Sequence, residues 1–113
     1  MTTHTTIHGE SDAVVDAIAG ALDLYVGEHP EAKTEVVRLS PVTVWIRVID
    51  PDLAAVNDYG RVHYVWKHIL ELPDPIPGHI GRTVPVLPEE ADSEINSILF
   101  DDALAGRYDL LAA

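Results

Sequence analysis

Histidine and carboxylate are the side chains with which this chain could hold a metal: its 113 residues include six histidines and nineteen acids but no cysteine. That composition removes disulfides, thiolate nucleophiles and any zinc or iron–sulfur site built from the chain's own sulfur. His4 and His8 have the i, i+4 spacing that grips a metal on a helix, yet they sit in a Thr-rich tail with no third ligand nearby in sequence. His63 and His68 are five apart and diverge around a helix. Asp50-Pro51-Asp52 brings two carboxylates close together. Such a pair suits a metal or acid–base work, but also plain turn and helix-cap chemistry, which is the simpler reading. Ser11, Ser40, Ser93 and Ser97 carry no local nucleophile motif, so no catalytic residue is expected.

Charge narrows the partners. The formal net charge is −12 at pH 7, distributed as −6 over residues 1–32, zero over 33–82 and −6 from 83 onward. Nucleic-acid affinity comes from Lys and Arg neutralising phosphates, which a balance this acidic opposes. Gly78-His79-Ile80-Gly81 does fit the GxxG spacing of a K-homology loop, but that loop must open a helix among basic residues. Here Arg82 is the one base nearby and Thr83-Val84-Pro85 follows. The acidic surface reads as a solvated, self-repelling one, with an acidic docking face as the alternative. No apolar run approaches the roughly 20 residues that cross a bilayer, and Met1 to Thr6 lacks the form of a secretory signal. A cytoplasmic protein is expected.

The elements that would position these residues follow from periodicity. Ser11 is expected to cap an amphipathic helix over residues 12–26, with Val14, Val15, Ile18, Leu22, Tyr25 and Val26 at helical spacing and Gly27 and His29-Pro30 as the stop. Thr34 to Leu39 and Val42 to Ile49 read as two strands of a hairpin turning at Ser40-Pro41. In the second, Val44, Ile46 and Val48 share one apolar face and Trp45 and Arg47 the other, which predicts a sheet with helices on one side and water on the other. A second helix is expected from Asn57 or Asp58 to Leu70, burying Val62, Val65, Trp66, Ile69 and Leu70. After a proline-rich connection, Thr83 to Leu87 reads as a third strand, with Pro85 favouring an edge or bulge. Ile95, Ile98, Leu99 and Leu104 suggest a short helix or a docked segment. The expected layout is a flexible stretch over 1–10, one α+β domain over 11–90, and an acidic extension over 91–113.

This order, and several runs within Lys33 to Glu90, resemble the BolA-like proteins. Val42-Thr43-Val44-Trp45-Ile46-Arg47-Val48-Ile49 looks like the family's second strand, and His63-Tyr64-Val65-Trp66 like its helix histidine and following apolar pair. The segment from His79 to Pro88-Glu89-Glu90 is similar to the family's third-strand segment. The resemblance implies an α-β-β-α-(α)-β fold, with a three-stranded mixed sheet and helices packed on one face. It further implies a non-enzymatic binding or regulatory module in which His63 ligates a [2Fe–2S] cluster shared with a monothiol glutaredoxin, the partner bringing the cysteine; histidine can replace cysteine on such iron. The family's second ligand has no His or Cys counterpart near Ser40-Pro41, and Asp52-Leu53-Ala54 stands where the family has an aromatic residue and a glycine. The alternative expectation is a cofactor-free interaction domain, or one that self-associates through an exposed sheet face or edge.

Overall fold

The computed structural model describes residues 5–106. Strand β1 (Thr5–His8) leads into helix α1 (Ala13–Glu28), the hairpin β2 (Lys33–Ser40) and β3 (Thr43–Ile49), the short helix α2 (Arg61–Val65), strand β4 (Ile80–Val86) and helix α3 (Ile95–Leu104). The fold is α+β, with a four-stranded mixed sheet in the order β1-β2-β3-β4. β1 runs parallel to β2, β2 antiparallel to β3, and β3 parallel to β4. The two parallel pairs require crossovers, supplied by α1 and by the segment containing α2.

α1 forms because a 3.6-residue apolar period is properly capped. Asp12, rather than Ser11, is the N-cap: its carboxylate accepts from the amides of Val14 and Val15. Hydrogen bonds from Arg38, with further help from the Val15 and Val14 amides, hold the Asp12 carboxyl down at about 2. Val15, Ile18, Leu22 and Tyr25 of α1 then bury against Val36, Val44, Ile46 and Val48 of the sheet, joined by Leu53, Val65 and Ile69 from the β3–β4 crossover.

Three expectations need correction. The sheet has four strands, not three, because part of the stretch expected to be flexible pairs with β2. The Thr5 amide donates to Asp23 Oδ1 at 2.8 Å and its hydroxyl meets that of Thr34 at 2.7 Å. These are long-range contacts that no four-residue pattern announces. Second, helices cover both faces of the sheet. α3 packs beneath it, where Phe100 joins Val37, Trp45, Val84 and Val86 in a second core. Arg47 survives burial there because Glu35 grips it at 2.6 and 3.0 Å, Asp101 at 2.8 Å and the Ser97 hydroxyl at 3.0 Å, with Phe100 4.6 Å below the guanidinium. Third, the long second helix is broken into a 3₁₀ turn over Asp58–Gly60, the five residues of α2, and another 3₁₀ turn over Ile69–Glu71. Gly60 and two β-branched residues make a poor helix, and packing of Val65 and Ile69 sets the path instead.

Candidate functional site

α2 is short, so its orientation is set by anchors on either side. Asn57 accepts from the Gly60 amide at 2.9 Å. Arg61 reaches Glu90 Oε1 at 3.0 Å. Trp66 Nε1 donates to the Thr83 hydroxyl at 2.8 Å, tying the end of α2 to β4. With Val65 and Ile69 turned into the core, the opposite surface must face solvent. It carries an apolar cluster: Tyr59 is 100% exposed, Leu70 53%, Val62 42% and Tyr64 37%. Val62 and Leu70, expected in the core, therefore lie outside it.

His63 sits at the centre of this surface, exposed. Two open depressions of about 300 and 310 Å³ meet at it, one bounded by Tyr59, Val62, Trp66 and Leu70, the other by Tyr64, Lys67 and Leu70. Among the described residues no hydrogen bond or ion pair engages its imidazole, whereas His68 Nε2 lies 3.1 Å from Glu28 and His8 Nε2 lies 3.0 Å from Glu35. Glu28 is held below the usual carboxylate range by its hydrogen bond with His68, which with Lys67 outweighs the opposing effect of burial. Among the described residues His63 belongs to no group of three or more His, Asp or Glu side chains that could hold a metal. The described residues therefore form no complete metal site of their own around His63. A four-ligand cluster fits only if a partner supplies the rest.

The remaining candidates fall elsewhere. His4 lies outside the described residues, and His8 belongs to β1. His79 precedes β4 at the sheet end where Ile80 aligns with Val44, and its Nδ1 is buried without a partner. The GxxG segment opens strand β4 rather than a helix. Gly81 is needed there for packing, since a Cβ would come within 2.9 Å of Thr43 Cγ2. Three of the four serines have structural tasks: Ser97 donates to the Ala91 carbonyl, Ser40 accepts from the Val42 amide, and Ser11 bonds Asp16.

The two carboxylates after β3 turn out to be both a cap and part of something larger. Asp50 caps the 3₁₀ turn Pro51–Ala55 by accepting from the Asp52 amide at 2.9 Å. Its other oxygen accepts from the Tyr25 hydroxyl at 2.6 Å. Burial, reinforced by that hydrogen bond and the Asp50 charge, pushes the Tyr25 hydroxyl far above the usual phenol range, so it stays a donor. The C-cap of α1 brings His29 to the same point, its Nδ1 2.7 Å from Asp52 Oδ2 and 3.5 Å from Asp50 Oδ2. The sequence marked His29 only as part of a helix stop; nothing in its spacing pairs it with residues more than twenty positions away.

A more voluminous groove, about 470 Å³, runs along the β1–β2 end past His8, Glu35 and Arg47. Its His8, Glu35 and Arg47 are already ion-paired to one another, so the exposed apolar face around His63 is the stronger candidate. Compared with known protein families, curated proteins and solved structures, the chain finds no match. No helix among the described residues is long and apolar enough to cross a membrane.

Proposed function

We propose that this chain is a non-enzymatic, BolA-like binding module whose docking face is the surface around His63, and that its partner is a monothiol glutaredoxin carrying a [2Fe–2S] cluster. As proposed, it works in the cytoplasm. The observation that carries the reading is one exposed, unengaged imidazole ringed by Tyr59, Val62, Tyr64 and Leu70. Exposed apolar groups gathered around one polar donor are what a partner interface requires. Charge agrees, because this face lies in the neutral middle of a chain whose two flanks each carry −6.

The lack of cysteine fits a shared site in which the partner brings the thiolates and this chain one nitrogen. His63 would bind and orient, and the apolar rim would exclude water from the junction. The chain's basic side chains are largely committed, Arg38 to Asp12, Arg47 to Glu35, Arg61 to Glu90 and Lys67 to Glu28, which leaves little for phosphates.

Mixing the purified chain with cluster-loaded glutaredoxin tests this. The visible absorbance should change for the wild type and not for His63→Ala. Binding measured by calorimetry but with an unchanged spectrum would favour the cofactor-free interaction domain. A mass that rises with concentration in light scattering, without a partner, would favour self-association. Absence of both binding and association would overturn the docking face altogether.

A further inference from the structure

Beyond this docking face, we propose a divalent transition-metal site formed by His29 Nδ1 and the carboxylates of Asp50 and Asp52, where α1 ends and β3 turns. The three donor atoms lie within 4.8 Å of one another. Donors about 2.1 Å from a common ion stand about 3.0–3.4 Å apart. The imidazole nitrogen is 2.7 Å from Asp52 and 3.5 Å from Asp50, which brackets that spacing.

Convergence alone would be weak evidence; the charge of Asp50 is separate evidence. That carboxylate is completely buried, and among the described residues no Lys or Arg pairs with it or with Asp52. Its hydrogen bonds come from neutral donors, the Tyr25 hydroxyl and the Asp52 amide. A carboxylate removed from water is costly without positive charge beside it, and among the described residues the group within reach that could carry it is the His29 imidazole, whose Nδ1 proton a metal ion can replace. Arg47, the other buried charged side chain among the described residues, is met by the carboxylates of Glu35 and Asp101. A divalent ion at the same point would neutralise both carboxylates, where a proton on His29 can offset only one charge.

The surroundings also suit a metal. Tyr25 both bonds Asp50 and stacks on the His29 ring, with centroids 4.4 Å apart and planes 23° apart. The Tyr64 hydroxyl stands 3.4 Å from His29 Nε2, where its oxygen can accept a hydrogen bond from Nε2–H in the tautomer that leaves Nδ1 to the ion. Outer contacts of this kind fix ligand orientation and tautomer in metal sites. Asp52 is more than half exposed, so the site opens to solvent for ion entry and for water ligands. One imidazole and two carboxylates suit Zn²⁺ or Mn²⁺ better than a purely oxygen-seeking ion.

The test uses the full chain freed of metal by chelation and titrated with Zn²⁺, with Co²⁺ as a spectroscopic stand-in. The wild type should bind one ion, gain visible Co²⁺ bands and melt at a temperature that rises with metal concentration. Asp52→Asn, a largely solvent-exposed change, should fold normally and lose the bands, and Tyr25→Phe should weaken binding about 10–100-fold. His63→Ala should bind as the wild type does, which separates this site from the proposed docking face. Equal binding by wild type and Asp52→Asn, or no binding at millimolar Zn²⁺, would overturn the proposal.

Discussion

Trp66 Nε1 donates to the Thr83 hydroxyl at 2.8 Å across the gap between the crossover and β4. This bond fixes which way a five-residue helix faces, and so which side chains surround His63. Trp66→Phe keeps most of the ring burial and removes the donor. It should cost about 1 kcal/mol of stability, read by urea unfolding, and Thr83→Val should cost a similar amount. The double variant should cost less than the two losses combined; strict additivity would show that the two groups do not interact.

Phe100 makes the second core. Phe100→Ala should destabilise the fold by about 3–5 kcal/mol, the usual loss for an aromatic core residue. If the change cost under about 0.5 kcal/mol, α3 would not be packed beneath the sheet.

Arg47 is buried with Glu35 and reaches Asp101. Removing it alone strands a mostly buried carboxylate, so Arg47→Ala should cost about 3–5 kcal/mol. The paired change Arg47→Met with Glu35→Leu should recover much of that loss, because the desolvation of both charges disappears together. Thermal unfolding of the three proteins decides the point.

Acid should weaken the fold for a stated reason. Burial pushes the Glu35 carboxyl up, but hydrogen bonds and charge from Arg47, with His8, outweigh it and hold the group below its usual range. Asp12 is held at about 2 by Arg38 and the helix amides. Both folded values are depressed, so the stability they contribute is fully present above the unfolded values of about 4. It is lost as pH falls through the folded ones. Denaturant midpoints should therefore fall between about pH 4 and pH 2, and Glu35→Gln should flatten that slope. A midpoint unchanged across this window would contradict the assignment.

Much of the fold was legible because its signals are local. The period of Val15, Ile18, Leu22 and Tyr25 and the alternation of Val44, Ile46 and Val48 each sit within one element, and all seven side chains are buried as that patterning requires. β1 was not legible, since its four residues gain their meaning from Thr34 and Asp23. Nor was the second covered face: Arg47 in β3 looked like a solvent-facing residue until Glu35, Ser97 and Asp101 closed around it. At the candidate site, His63 was visible as a helix residue, but Val62 and Leu70 were assigned to the core. A continuous helix would have turned them inward; the breaks on either side of α2 turn them out. The cluster of His29 with Asp50 and Asp52 depends on the end of α1 meeting the end of β3, a tertiary fact.

The most direct test of the docking face is a residue-resolved NMR titration of the isotopically labelled chain with cluster-loaded monothiol glutaredoxin. Perturbation or broadening should concentrate on Tyr59, Val62, His63, Tyr64 and Leu70 and vanish for His63→Ala. Perturbation centred on β1 or α3 instead, or a spectrum indifferent to the partner, would contradict the account.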